Sequence, residues 1–245
     1  MSQKITWYGH ATWYMETPAG TKCWIDPWIE GNPACPVKLE DIREADLVFV
    51  THGHSDHLGN AVEICKATGA TLVTLPDVAA YCEKYGIPND KDGGSVHVGG
   101  SIVQRDIRIR AVFALHYSDI WGFEQREDPT AIMPGSGCCG FVLEPENGKS
   151  VYFAGDTGVF GDMRLISRLY HPYVSVLPIG DKFTMGVREA SVAAEFLNSK
   201  YVLPGHYNTF PSNQADTEEL RRLMDETAPA STLIVLKPGE TFEVI

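Results

Sequence analysis

The chain has 245 residues, of which 44% are hydrophobic, so it is long enough to bury a sizeable core in one large domain or two small ones. Its 32 acidic and 20 basic side chains give a formal net charge of −12 at pH 7, which disfavours binding to a phosphate backbone and therefore a nucleic-acid partner. It contains no apolar run long enough to cross a membrane and no secretory leader pattern, so we expect a cytoplasmic protein that does not bind membranes.

The first half of the chain is predicted to begin as a meander of strands and to continue as alternating strands and helices. The meander consists of KITWYG, ATWYMET and TKCWID, separated by short turns. KLEDIREA has a short helical pattern and leads into DLVFVT, a continuous apolar strand of the fully buried kind. A helix over NAVEICKATG, a strand over ATLVTL and a helix over PDVAAYCEKYG follow. This β-α-β-α order predicts parallel strands.

The second half repeats the change from meander to alternating elements. Strand character extends from residue 94 to 115, whereas residues 118–137 have no clear periodicity and are interpreted as a partial lid. A hairpin turn at Asn147-Gly148 is predicted inside GFVLEPENGKSVYFAG, and helices near DMRLISRLY, VREASVAAEFLN and ADTEELRRLMDET alternate with further strands. Because no linker divides these elements, we predict a single α/β domain over residues 1–245, with two mixed β-sheets flanked by helices.

The six cysteines are scattered through the chain without a CxxC pair, which does not indicate a disulfide framework or a structural zinc finger. We expect reduced thiols. The adjacent Cys138 and Cys139 could form a redox pair, but their position between two glycines at a strand entrance favours a packing role.

A dense cluster of polar side chains follows the buried strand, in the sequence VTHGHSDHLGN. Imidazole nitrogens and carboxylate oxygens both suit divalent metals such as zinc. If the backbone stays extended, His52 and His54 project to the same side, while Asp56 and His57 lie in the turn toward the next helix. Four such groups within six residues exceed what one tetrahedral ion takes from a short loop, so the spacing suggests two ions.

Further ligands are expected at the ends of other strands, as His52 follows one. His116 ends AVFALH, Asp156 follows VYFAG, and His206 follows YVLPG. Glycine before Asp156 and before His206 allows the backbone to turn closely beside a metal. The sequence therefore predicts a metal site to which four strand ends contribute, at the edge where open α/β folds carry their chemistry.

These motifs resemble the metallo-β-lactamase superfamily, because THGHSDH is followed by a strand-end His, a GDT and a late GH. The segments YGHATWYMET, WIDPW, LPIGDKFTMG and PGHYNTFP are more closely similar to a branch of metal-dependent hydrolases that includes the L-ascorbate 6-phosphate lactonase type. The resemblance implies a four-layer αβ/βα sandwich. It also implies that one ion is held by His52, His54 and His116, the other by Asp56, His57 and His206, and that Asp156 bridges them.

The same resemblance draws attention to residues beside the expected ligands. His10 in GHAT is interpreted as a substrate contact or proton donor, with a hydrogen-bonded core histidine as the alternative. Asp26 is equally compatible with orienting a ligand histidine and with a turn before proline. Asp181 is a candidate catalytic residue beside the metals, or a capping or turn aspartate, and Tyr207 and Thr209 are expected to brace their loop.

The expected function is hydrolysis of an ester, lactone or phosphoester of a small molecule by a hydroxide that bridges two metals, with Asp56 orienting the nucleophile. The alternatives are a phosphodiesterase acting on a lipid-derived or nucleotide phosphoester, and a metal-dependent sensor without turnover. Zinc is the expected ion because the ligands are mostly imidazole, although manganese, iron or nickel also suit a His/Asp set. Relatives of this type often associate, which leaves a homo-oligomer open.

Overall fold

The computed structural model describes residues 2–89, 94–123, 128, 130–131 and 133–245. In chain order the strands are β1 (Gln3–Trp7), β2 (Trp13–Glu16), β3 (Lys22–Ile25), β4 (Leu47–Val50), β5 (Thr71–Thr74), β6 (Gly94–Ser95), β7 (Ser101–Gln104), β8 (Ile107–Phe113), β9 (Asp119–Ile120), β10 (Met133–Pro134), β11 (Cys139–Pro145), β12 (Val151–Phe153), β13 (Val174–Pro178), β14 (Tyr201–Gly205), β15 (Thr232–Leu233) and β16 (Thr241–Val244). The α-helices are α1 (Ser55–Leu58), α2 (Ala61–Thr68), α3 (Pro76–Glu83), α4 (Met163–Tyr170), α5 (Val187–Leu197) and α6 (Thr217–Thr227).

The described strands form two seven-stranded mixed sheets and one small two-stranded sheet. The first sheet has the order β16-β1-β2-β3-β4-β5-β6, antiparallel up to β3 and parallel from β3 to β6. The second has the order β15-β14-β13-β12-β11-β8-β7, parallel from β15 to β12 and antiparallel from there to β7. The predicted α/β fold with two mixed sheets and flanking helices is confirmed.

The burial of β4 explains why its sequence is apolar without alternation. Leu47 and Phe49 belong to the core between the two sheets, where the Phe49 ring meets Phe141 of β11 edge to face at 5.4 Å. Val48 and Val50 belong to a second core, under the helices that cover the outer face. Because both faces of the strand pack against another layer, all four side chains are fully buried.

Local sequence signals account for the helix boundaries. α2 ends at Gly69, whose φ of +75° is the left-handed conformation that glycine tolerates best. Pro76 occupies the first turn of α3, and the Asp216 carboxylate accepts the first free backbone N–H groups of α6. The predicted helices over these three segments are confirmed.

The helix expected over KLEDIREA is wrong, because only a 3-10 turn forms, at Leu39–Asp41. Ile42, directly after that turn, is buried in the second core with an extended backbone, so tertiary packing there overrides the local helical pattern.

Residues 118–137 contain β9 and β10, which pair with each other in an antiparallel ladder. Positions 124–127, 129 and 132 of this segment lie outside the described residues, so its function as a lid stays a prediction. The assignment of the whole chain to one domain also stays a prediction. None of the helices in the described ranges is both long and apolar enough to span a membrane.

Candidate metal centre

The seven predicted ligands converge at one edge of the two sheets. His52 follows β4 of the first sheet, whereas His116, Asp156 and His206 follow β8, β12 and β14 of the second. Gly155 lets the turn before Asp156 pass close to Thr51, the residue after β4, since its φ is +63° and a Cβ there would lie 3.0 Å from the Thr51 side chain. The centre is thus assembled from both sheets at the layer boundary.

His52, His54 and His116 form one group of potential metal ligands. His52 Nε2 lies 3.0 Å from His54 Nδ1, and His116 Nε2 lies 3.5 Å from the same nitrogen. The three ligand atoms lie within 4.8 Å of one another. Three converging imidazole nitrogens match the preference of a borderline divalent ion.

Asp56, His57, His206 and Asp156 form a second, contiguous group. His57 Nε2 is 3.8 Å from Asp56 Oδ2 and 3.3 Å from Asp156 Oδ1. His206 Nε2 is 3.6 Å from Asp56 Oδ2 and 3.2 Å from Asp156 Oδ2. Asp156 also faces the first group, because its Oδ2 lies 3.8 Å from His116 Nε2. The Asp156 carboxylate therefore lies between the two groups.

The chemistry of these donors fits a bound cation. His57 Nε2, Asp156 Oδ1 and both ring nitrogens of His206 are buried without a hydrogen-bond partner among the described residues. A buried polar atom without a partner is costly, and a metal ion would satisfy those that face the centre. The described groups of His and Asp are therefore able to bind metal.

Opposite charges dominate the electrostatics of the second group. Burial raises the pKa of the Asp156 carboxyl, but His206 and His57 outweigh burial and hold that pKa well below its ordinary value. Burial lowers the pKa of His206, and Asp156 outweighs it, so that the pKa rises to about 9. Both residues therefore favour their charged forms in the metal-free protein, and a cation would have to displace the His206 proton.

Asp26 orients ligand histidines of both groups. Its Oδ2 accepts hydrogen bonds from His57 Nδ1 at 2.8 Å and from the Thr51 hydroxyl at 2.8 Å, and its Oδ1 accepts from the Thr51 backbone N–H at 2.8 Å. Since Thr51 Oγ1 donates its one proton to Asp26, it accepts from His52 Nδ1, 3.0 Å away. Asp26 thus holds the Nδ1–H of both rings, directly for His57 and through Thr51 for His52, which leaves their Nε2 atoms as the positions that would bind an ion. The sequence suggested this possibility for Asp26 but gave no sign of Thr51.

His10 is buried against the second group. Its Nε2 lies 2.9 Å from Asp56 Oδ2 and its Nδ1 lies 2.8 Å from Thr209 Oγ1. Burial lowers the pKa of His10, with the Asp56 hydrogen bond opposing it, so the imidazole is neutral at neutral pH. The neutral ring can donate Nε2–H to Asp56 while Nδ1 accepts from the Thr209 hydroxyl. His10 Nε2 also lies within 4.8 Å of ligand atoms of Asp56 and His206, so the geometry alone makes it a candidate ligand.

The remaining candidates differ in their relation to the centre. Asp181 is exposed, has a φ of +65° and belongs to a turn closed by Thr184 and Met185, and it is in none of the described groups of potential metal ligands. Its catalytic role stays a prediction. Tyr207 is buried and stacks on Trp7 with ring centroids 5.2 Å apart, as expected of a bracing residue.

The cysteine pair has no free surface near the centre. Cys138 and Cys139 are buried, and burial raises the pKa of both thiols well above the ordinary value. Cys138 Sγ lies 3.5 Å from His52 Nδ1, on the side of the ring away from the other ligands. This placement agrees with the predicted packing role.

Comparisons with known proteins agree with this geometry. The model of the beta-lactamase superfamily domain matches residues 21–207. A UPF0173 metal-dependent hydrolase of Methanopyrus kandleri is 44% identical over 240 residues, covering 98% of this chain and 99% of the relative. One from Koribacter versatilis is 40% identical over 242 residues, covering 98% and 97%.

Solved structures with the same fold also match the chain. Igni18, a metallo hydrolase of the archaeon Ignicoccus hospitalis, superposes with a TM-score of 0.84 at 34% identity over 100% of both chains. An isothiocyanate hydrolase from Delia radicum gut bacteria has a TM-score of 0.73 at 22% identity over 98% of both chains, which supports the fold alone. With the ligand geometry, these matches show that the chain belongs to the metallo-β-lactamase superfamily and, within it, to the UPF0173 family of metal-dependent hydrolases.

Proposed function

We propose that this metal-dependent hydrolase uses two divalent ions to cleave an ester, lactone or phosphoester bond of a small molecule. The observation that carries the proposal is the position of Asp156, whose carboxylate lies 3.2 Å from His206 Nε2 and 3.8 Å from His116 Nε2, ligands assigned to different ions. Two-metal hydrolytic sites hold their ions roughly 3.5–4 Å apart, a separation that one carboxylate can bridge.

His52, His54 and His116 would hold one ion, and Asp56, His57 and His206 the other. When bound, the ions would supply an activated water and a positive charge facing the oxygen of the scissile group. In the hydrolysis, the water oxygen forms a bond to the carbonyl carbon or phosphorus, the bond to the leaving oxygen breaks, and a proton goes to that oxygen. The Asp56 side chain is 30% exposed and faces an open cleft beside the centre, which suits it to orient the water.

His10 has two proposed roles that can be separated. Its hydrogen bond to Asp56 favours holding that carboxylate in position, whereas the sequence suggested proton donation to the leaving oxygen. His10→Gln retains an N–H donor for Asp56 but cannot transfer a proton, so recovery of activity relative to His10→Ala would favour positioning. Loss of bound metal in both variants would make His10 a ligand instead.

The test of the function begins with elemental analysis of the protein as purified, followed by a hydrolysis screen after loading with zinc, manganese, iron or nickel. Zinc is proposed because imidazole predominates among the ligands. The screen uses lactones, aryl esters and bis-p-nitrophenyl phosphate. We expect two ions per chain and hydrolysis of at least one class. Preference for the phosphodiester would favour the phosphodiesterase alternative, and a metal-replete protein without turnover would favour a sensor.

Asp156→Asn provides the variant that links the ligands to the function. It keeps the shape of the side chain and removes the negative charge, so metal content and hydrolysis should fall together. His97→Ala is the control, because His97 is exposed and lies away from the ligand groups. Retention of two ions by Asp156→Asn would contradict the bridging assignment.

A further inference from the structure

A cleft of about 270 Å³ opens onto the metal centre. Ligand residues such as His54 and Asp156 contribute to its lining, and so do the aromatic side chains of Trp121, Phe183 and Phe210. A cleft of this volume admits a small molecule or one end of a larger one. A group held by the aromatic side chains would be close to the ligands that hold the ions.

The aromatic side chains are only partly covered by the protein. Phe183 is 53% exposed, Phe210 39% and Trp121 38%. Apolar surface gathered in a concave site is a mark of ligand binding, because covering it removes the unfavourable contact with water. The exposed rings therefore favour an apolar occupant.

Backbone hydrogen bonds hold the loops that carry two of these aromatic residues. The Trp121 N–H donates to the Gly53 carbonyl oxygen at 2.7 Å, which ties it to the loop that carries His52 and His54. The Phe210 N–H donates to Asn213 Oδ1 at 2.7 Å. Preformed walls bind a ligand without the entropic cost of ordering them.

Beyond the bound ions, the side chains around the cleft give no preference for an anionic occupant. Its described lining includes no lysine or arginine, but it includes the carboxylates of Asp56 and Asp156. The nearby Lys182 is exposed, and its Nζ lies 5.0 Å from the ring centroid of Phe183. Proteins that recognise phosphate groups use arginine, lysine or clustered N–H donors. Apart from bound ions, the described lining of the cleft offers a phosphorylated substrate no lysine or arginine.

We propose that the cleft selects an uncharged substrate whose small apolar or aromatic group, adjoining the scissile ester or lactone bond, packs against Trp121, Phe183 and Phe210. This inference rests on the proposed hydrolytic function and narrows it, since it separates the chain from lactonases that act on phosphorylated sugars. The centre supplies the hydrolysis, and the aromatic side chains supply the selectivity.

A pair of esters that differ in charge tests the selectivity. Metal-loaded protein is assayed with p-nitrophenyl butyrate and with p-nitrophenyl hemisuccinate, which carries a carboxylate at the end of a similar acyl chain. We expect kcat/KM at least tenfold higher for the butyrate. Phe183→Ala should lower kcat/KM for the butyrate roughly tenfold, since it removes a half-exposed phenyl ring that the substrate would cover. The metal content should not change.

Phe113→Ala is the matched control, because Phe113 is 51% exposed and does not line the cleft. It should leave kcat/KM and metal content unchanged. Phe210→Ala is the second variant, in case Phe183→Ala alters the fold as judged by thermal unfolding. Equal or higher kcat/KM for the hemisuccinate, or an undiminished rate in both cleft variants, would overturn the proposal.

Binding of benzylacetone, an uncharged ketone with a phenyl ring, separates this inference from the proposed function. If no ester or phosphoester is hydrolysed, the proposed function fails. Calorimetric titration with benzylacetone then still tests whether the aromatic side chains of the cleft bind an uncharged apolar ligand. A Kd raised roughly tenfold by Phe183→Ala but not by Phe113→Ala supports the aromatic site. Absence of binding, or equal Kd values in wild type and Phe183→Ala, overturns it.

Discussion

Replacing Asp26 by asparagine should weaken metal binding although Asp26 is not itself a predicted ligand. The carboxylate accepts three hydrogen bonds, from His57 Nδ1, the Thr51 hydroxyl and the Thr51 N–H, each 2.8 Å long. Asparagine offers only one acceptor oxygen, and its NH₂ group would face at least one of the present donors. If that donor is His57 Nδ1, the proton of the ring moves to Nε2, the atom that faces the centre.

The expected size of the effect follows from the number of histidines involved. Loss of a group that orients one metal ligand typically costs about 10- to 100-fold in metal affinity, or about 1.4–2.8 kcal/mol. Asp26 acts on His57 directly and on His52 through Thr51, so we expect the upper part of this range. The metal-free variant should also unfold with a free energy lower by about 1–3 kcal/mol, because a buried donor loses its acceptor.

The affinity is measured by competition with a chromophoric zinc chelator, and the stability by urea unfolding in the presence of EDTA. Asp216→Asn is the control, since Asp216 caps α6 and asparagine caps helices equally well. It should change neither quantity. Wild-type zinc affinity in Asp26→Asn would refute the argument that Asp26 sets the protonation of the ligand histidines.

Three further predictions concern the same centre. His10→Ala should keep both ions and lose most turnover. His10→Gln should recover activity if His10 positions Asp56. Elemental analysis and hydrolysis rates, measured on the same samples, check both statements. Asp156→Asn should lose most bound metal and at least 100-fold in rate, because the carboxylate that faces both ligand groups loses its charge. The metal-free protein should lose thermal stability as the pH rises from about 6.5 to about 9. The pKa of His206 is raised to about 9 on folding, so its contribution is complete below the unfolded value and disappears above the folded one. A Tm that stays constant over this range in EDTA would contradict that linkage.

Much of the centre could be predicted because its ligands follow strands that the sequence marks clearly. The apolar segment before His52 and the strand-ending positions of Asp156 and His206 gave both the sheet edge and the residues that meet there. The hydrogen bonds that orient these residues could not be predicted in the same way. Thr51 contacts Asp26 across 25 positions of sequence, a pairing that depends on the register of β3 beside β4.

The aromatic lining of the cleft was also beyond the sequence signals. Phe183 and Phe210 lie in irregular loops, where no periodicity indicates the direction of a side chain. Trp121 lies within residues 118–137, which have no clear periodicity, so the sequence did not indicate its place in the lining. Conversely, the short helical pattern of KLEDIREA did not form a helix, because Ile42 packs into the second core with an extended backbone.

The backbone at the centre shows how the fold directs these side chains. His10, Asp26 and His206 have φ values of +51°, +47° and +55°, in the left-handed region that costs a non-glycine residue roughly 1–2 kcal/mol. Each of them lies within three residues of the end of a strand, namely β1, β3 or β14. The positive φ changes the course of the backbone there, so that the side chain faces the centre. The His206 N–H donates to the His10 carbonyl oxygen at 2.8 Å, so two of these strained positions hold each other. Glycine at any of these three positions would relieve the backbone strain, but it would also remove the side chain. The strain therefore occurs at positions where the predicted chemistry requires a side chain.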